Sequence, residues 1–338
     1  MQLPHTEAAP ASEPPRVSVP SPGKRTERGD SGGRRLQRKR NRLAWYLIAP
    51  ALTFMLLVHV LPTLAGVYVS FLRLNTFTLP QLFGAPWYGL QNYKDLFDSA
   101  SPINAGFYQA AKNTAFYTSL VVVGTVAGGL GIALLLNRTF PGRRLVRTLM
   151  LLPWVVPSFV VATLFQFMLQ RDAGIVNKIL VDYTHLVHHR PTWLLGSNTM
   201  WAMVIPSIWR GLPLPMLFFI AGLQTIPDDL HEAAKMDGAG AFRRFRYITL
   251  PLLRPLIGIQ ILIGVIYAAY QFVIPYIMFG SDPGPRADVL MTLIVRQSFD
   301  NNLFGAGAAI SMLLTLAMAA IVLLWYRAFR RDFEVATS

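Results

Sequence analysis

Not one cysteine occurs among the 338 residues, which removes disulfide frameworks, thiolate metal sites, iron–sulfur clusters and cysteine nucleophiles together. Charge is scarce too. Only 14% of residues are Asp, Glu, Lys or Arg, and the 31 basic side chains outnumber the 17 acidic ones, for a formal charge of +14. Residues 1–42 hold ten of the basic and four of the acidic side chains, so the other 296 residues share 34 charges, too few to cover a water-soluble globule of that size. Histidine is limited to His5, His59, His185, His188, His189 and His231. Asp182, His185 and His188 at helical spacing are the nearest approach to a metal set, and their polar surroundings read as a solvated loop. There is no Walker-type loop: Gly23-Lys24 is followed by Arg25 and lacks the upstream glycine. The apolar stretches hold no Ser-His-Asp set, paired carboxylates or metal box, so no catalytic, cofactor or metal residue is assigned and an enzyme is not expected.

What the chain has in quantity is long apolar runs. Crossing a bilayer takes about 20 apolar residues. Stretches near 43–71, 114–136, 146–169, 199–223, 253–279 and 306–326 qualify, and none contains Asp or Glu. Backbone groups in lipid must be satisfied internally, so the expected fold is all-α, a polytopic membrane protein with six transmembrane helices. Pro50, Pro62, Pro153, Pro157, Pro206, Pro213, Pro215 and Pro275 interrupt these runs, which suits a packed bundle with a polar interior. The N-terminal tail, the second-to-third and fourth-to-fifth connections and the C-terminal tail hold 22 of the 31 Lys and Arg, which places both termini in the cytoplasm. Residues 1–42, rich in Pro, Ser, Gly and Arg, read as a disordered tail, with 43–326 as the membrane domain and 327–338 as a short cytoplasmic tail. The tail lacks an apolar core of the signal-peptide kind, so the first span is expected to act as the insertion signal. The basic run Arg34–Arg42 reads as a segment touching anionic lipid rather than nucleic acid.

The expected external segments, 72–113 and 170–198, mix aromatics with turn residues, including Trp87, Tyr88 and Tyr93 in one and Trp193 in the other. Such aromatics sit at headgroup depth. Gly124 and Gly128 form a small-residue step that lets another helix approach, first of all inside the bundle.

The segment 227–255 carries the most information. Pro227 suits a first helical position, Asp228 and Asp229 favour the positive end of the helix dipole, and Gly238 falls where a helix stops. Phe242 and Phe245 then give a second short helix one apolar edge amid Arg243, Arg244 and Arg246. The expected unit is helix, tight turn, helix at the cytoplasmic surface. This segment resembles the EAA loop of ABC importer permeases: Glu232-Ala233-Ala234, then Asp237 and Gly238, then Ile248, Leu250 and Pro251 in register. Gly89-Leu90-x-Asn92-Tyr93, Asn113-Thr114 and Ala221-Gly222-Leu223-Gln224-x-Ile226-Pro227 are similar to the maltose-type, MalF/MalG-like branch. The likeness covers roughly residues 40–335.

The resemblance implies a bacterial inner-membrane permease subunit working by alternating access. Its expected partners are a second permease subunit in a heterodimer, cytoplasmic ATP-binding subunits and an extracytoplasmic solute-binding protein. Glu232 would pair with a basic group on the ATPase, Gly238 would permit the turn, and both short helices would make the coupling piece. The implied solute is a sugar, oligosaccharide or related polyol. By the same resemblance Gly211, Leu214, Tyr270 and Gln271 fall near solute-contact positions, with Leu214 where an aromatic is expected. The residues themselves point to the same region. Arg210 is the one clear charge well inside a predicted span, at a cost of about 2.5–3.5 kcal/mol on insertion scales. Tyr267, Tyr270 and Gln271, spaced i, i+3, i+4, share a helical face suited to sugar rings and hydroxyls. Arg210 leaves an anionic solute such as a sugar phosphate open. An ion-coupled carrier acting without an ATPase is the alternative, against which stands the lack of acids in the spans.

Overall fold

A computed structural model describes residues 45–104 and 106–337; the expected tail at 1–42 lies outside them. Regular structure among the described residues is helical, apart from a single antiparallel bridge between Leu72 and Trp87. Among the described residues, four helices are long and apolar enough to cross a membrane: α1 Trp45–Ser70, α3 Phe107–Leu136, α9 Ala241–Phe279 and one within α11 Phe304–Thr337. Between them lie α2 Gln91–Phe97, α4 Arg143–Val155, α5 Ser158–Met168, α6 Thr199–Gly211, α7 Pro213–Gln224, α8 Asp228–Met236 and α10 Leu290–Val295. The chain separates into two compact units, one ending at Pro62 and one starting at Thr63. In the first, residues 45–62 are helical and exposed throughout.

The remaining two predicted spans are bent pairs. At Pro157 the missing N–H and the ring's clash push Val156 into extended backbone (φ −71°, ψ 128°), and α4 and α5 diverge by 98°. At Pro213 the preceding Leu212 stays helical (φ −59°, ψ −39°), so the bend between the fourth-span halves is only 41°. The continuous span expected at 146–169 is therefore two short helices. Pro153, Pro206 and Pro255 lie inside helices without ending them.

A different device accommodates Pro251. The turn Phe245–Thr249 is a π-turn, in which the Leu250 N–H reaches back to Phe245 O, and the helix runs on into the membrane stretch. The same offset recurs at Leu56–Val60 ahead of Pro62. A widened turn before proline rehouses the carbonyls the ring cannot serve. The second short helix expected around Phe242 and Phe245 is thus the first turns of α9. Two further boundaries differ: α3 starts at Phe107, seven residues before the expected Thr114, behind Gly106 at φ +88°, and the last helix extends to Thr337.

Helix α3 forms the centre of the second unit. Its Ala133 and Leu136 share a buried cluster with Met216, Phe219, Ile220 and Leu223 of α7, with Ile226 and with Leu253 of α9. Its Tyr117 and Val121 pack with Met200, Met203 and Val204 of α6 and Ala268 of α9. The small-residue step works inside the bundle: a Cβ on Gly124 would strike Ile208, and one on Gly128 would lie 2.6 Å from Leu212 Cδ2.

The family-like motif at 89–93 acts as a clamp. Asn92 Nδ2 donates to Ser70 O and Leu72 O, both at 2.9 Å, and Tyr93 Oη meets Ser70 Oγ at 2.7 Å. Asn92→Ala strands two buried carbonyls and is expected to cost about 1–3 kcal/mol, read as a lowered melting temperature of the purified chain. A second clamp joins α3 to the segment before α10. Asn113 Nδ2 donates to Pro285 O (2.9 Å) and Asp288 O (2.7 Å), while Thr114 Oγ1 accepts from the Leu290 N–H at 2.8 Å. Next to it the buried Asp288 carboxylate takes hydrogen bonds from Thr292 Oγ1 and from the Arg296 guanidinium. Burial pushes the Asp288 carboxyl above the usual carboxylate range, against the hydrogen bonds from Thr292 and Arg296 that pull it down.

Candidate transport cavity and coupling elbow

Two regions bear on function: a cavity among α3, α4, α6, α7 and α9, and the elbow formed by α8 and the start of α9. The cavity encloses about 120 Å³. Of the residues expected there, Arg210, Gly211, Leu214, Tyr267 and Gln271 all line it. Tyr270 does not. Helix α9 is interrupted between Ala269 and Val273, and the N–H of Gln271 bonds to Ala268 O at 3.1 Å, so the i, i+3, i+4 spacing no longer holds one face and Tyr270 falls outside the lining.

Close backbone approach shapes the wall. A Cβ on Gly211 would come 2.7 Å from Thr125 Cγ2, and one on Gly129 would come 2.8 Å from Pro215 Cβ and 3.0 Å from Met216 N. The cavity also holds residues that composition and spacing did not single out. Tyr117, almost fully buried, meets Ser207 Oγ at 2.6 Å, and Ser207 Oγ donates to Met203 O at 2.7 Å. Because the Ser207 proton is committed to that carbonyl, the Tyr117 hydroxyl is the donor in the pair. Trp154 and Thr125 complete this side. Gln260 is 2% exposed and lines the cavity from α9. Neither Arg210 Nε nor Gln260 Nε2 has a hydrogen-bond partner among the described residues.

The elbow begins where Pro227, in extended backbone, caps α8. Asp228 and Asp229 occupy its first turn and Lys235 its last, so the charges oppose the helix dipole at both ends. It ends in a Schellman turn: Ala239 N–H bonds to Ala234 O at 2.8 Å and Gly238 N–H to Lys235 O at 3.0 Å, with Gly238 at φ +76°. No residue of α8 is buried. Glu232, Ala233 and Asp237 are exposed, Ala234 is half-buried, and Met236 is 88% exposed with Phe242 and Tyr247 also bare. The far stem behaves differently. Ile248 packs on the cluster that holds Ile226, Leu253 and Phe219, Leu250 is half-buried and Pro251 is exposed. Both stems of the elbow therefore enter one buried cluster, with α7 and α9 continuing from it to the cavity.

Asp182 pairs with Arg190 at 2.9 Å, and no group of three or more His, Asp or Glu suited to a metal ion occurs among the described residues.

A family model described as the inner membrane component of binding-protein-dependent transport systems matches residues 121–335. The chain is similar to the inner membrane ABC transporter permease protein YcjO of Escherichia coli, 33% identical over 83% of this chain and 92% of the relative. It is 32% identical to the trehalose/maltose transport system permease protein MalF of Thermococcus litoralis over 88% of this chain and 98% of that one. To the sulfoquinovosyl glycerol transport system permease protein SmoG of Agrobacterium fabrum it is 34% identical over 85% and 90%. Its fold is similar to a chain of a bacterial ABC transporter involved in import of the acidic polysaccharide alginate, with a TM-score of 0.74 at 23% identity over 88% of this chain and 99% of that one.

Proposed function

Because this chain belongs to the family of inner membrane components of binding-protein-dependent transport systems, we propose that it is the permease subunit of an ATP-driven importer for a sugar, oligosaccharide or related polyol. It works beside a second permease subunit, ATP-binding subunits on the cytoplasmic side and an extracytoplasmic solute-binding protein, with both termini in the cytoplasm. Relatives named for trehalose, maltose and sulfoquinovosyl glycerol support the solute class.

The observation that carries the coupling mechanism is the shared anchorage of the elbow. Helix α8 is bare, as a surface meant for another protein is, while Ile226 on one stem and Ile248 and Leu253 on the other pack in one cluster. A rigid packed cluster passes displacement on rather than absorbing it. A push on α8 moves α7 and α9 together, and these helices carry Leu214, Gln260 and Tyr267 on the cavity wall. Closure of the ATPase subunits would in this way rock the helices around the solute, opening the cavity alternately to either side. Glu232 supplies the carboxylate that engages a basic group of the ATPase, and Ala233, Ala234 and Asp237 complete the contact.

The test is reconstitution with the partner subunits. Glu232→Ala is expected to lower ATP-coupled uptake at least about tenfold, the worth of one lost charge-assisted hydrogen bond, with membrane insertion and binding-protein affinity unchanged. Undiminished uptake by that variant overturns the coupling role. Uptake driven by an ion gradient without any ATPase would favour the secondary-carrier alternative instead.

A further inference from the structure

The cavity presents an unbalanced set of hydrogen-bonding groups. Among the described residues, Arg210 brings its only formal charge, no Asp or Glu lines it, and Arg210 Nε is buried without a partner. Gln260, itself 2% exposed, lines the same cavity and carries a second buried, unpartnered N–H donor, Nε2, in its wall. Among the lining hydroxyls, the Tyr117–Ser207 pair offers only lone pairs, since Ser207 gives its proton to Met203 O and Tyr117 gives its proton to Ser207. Ser207 and Arg210 lie three residues apart on α6 and so share a face.

We infer that the transported solute carries an oxyanion on its sugar, held by the Arg210 guanidinium and the Gln260 amide, with sugar hydroxyls donating to the Tyr117–Ser207 pair. A neutral hydroxyl can occupy an N–H donor but leaves the guanidinium charge without a counter-charge in a low-dielectric wall, whereas a carboxylate, sulfonate or phosphate answers both. The planar guanidinium fits the two oxygens of such a group. This assignment rests on the reading of the chain as a sugar permease and adds the charge class of its cargo.

A matched pair of probes isolates the charge: methyl glucoside and methyl glucuronide share a ring and differ by a carboxylate. Binding to the purified full chain in nanodiscs is followed by the fluorescence of its tryptophans, one of which, Trp154, lines the cavity. Methyl glucuronide is expected to bind about tenfold more tightly than methyl glucoside, the size of one charged hydrogen bond. Arg210→Gln should bring that ratio close to one, and Arg210→Lys should keep a reduced preference for the acid. Gln260→Leu is expected to weaken the acidic probe while the preference survives. Equal binding of the two probes by the unaltered chain, a preference that persists in Arg210→Gln, or an equal response to sulfate alone overturns the oxyanion assignment while leaving a sugar permease intact. Failure of both sugars to bind overturns the sugar reading along with it. The same ratio on the complex purified with its partners closes the remaining route: a value near one there means that a neighbouring subunit's carboxylate already holds Arg210, and the proposal falls.

Discussion

Gly238→Val is expected to abolish ATP-coupled uptake by the reconstituted importer, while Gly238→Asn retains most of it. The reason is backbone, not space. A Cβ at position 238 would meet nothing within 4 Å, yet the residue sits at φ +76° in the turn that closes α8. Left-handed backbone costs an ordinary L-residue roughly 1–2 kcal/mol, and a β-branched one more. Asparagine tolerates it. Valine therefore favours another path for the turn, which loses the Ala239 N–H bond to Ala234 O and re-aims α8 relative to the stem at Ile248. Uptake and solute-stimulated ATP hydrolysis, measured together, separate the outcomes. Loss of both with normal subunit assembly marks a broken coupling element, and full uptake by the valine variant shows that the elbow's angle transmits nothing.

The second large effect concerns stability. Arg296→Gln removes the positive partner of a carboxylate whose side chain is only 5% exposed, and uncompensated buried charge of this kind costs about 3–5 kcal/mol. Arg296 also bonds Asp282 at 2.9 Å, so the substitution frees the 281–288 segment that Asn113 clamps to α3. The loss should depend on pH, with a definite sign. Asp288 already has its carboxyl raised by burial, so its contribution to stability is fully present below the unfolded carboxylate value near pH 4 and is lost as pH rises through the folded one. Without Arg296 the folded value rises further, and the losing window extends upward. Thermal unfolding in detergent should show the variant close to the unaltered protein at about pH 4 and furthest below it at about pH 8. An equal deficit at both would mean that Arg296 acts by shape rather than by charge.

The residues that made the chain resemble its family turn out to have separate physical roles. Asn92 and Asn113 are clamps that tie loops to helices, which is why a polar residue is tolerated nearly without exposure. Gly238 is a turn, and Glu232 is a bare charge. A one-dimensional motif lists them together without saying which is which.

The apolar stretches, the place of the elbow and the lone charge of the cavity wall were all legible in the sequence, because insertion into lipid is decided segment by segment by composition and turns by local backbone chemistry. Coordinates were needed for what depends on neighbours. Pro157 breaks its span by 98° whereas Pro251 is absorbed by a π-turn and Pro206 by a continuous helix, since the fate of a proline depends on what serves the carbonyls it orphans. Tyr270 leaves the cavity because its helix is interrupted after Ala269, and Tyr117 joins it because the face of α3 that turns inward is set by the packing of Gly124, Gly128, Gly129 and Gly211 against neighbouring helices, a choice that no stretch of sequence makes alone.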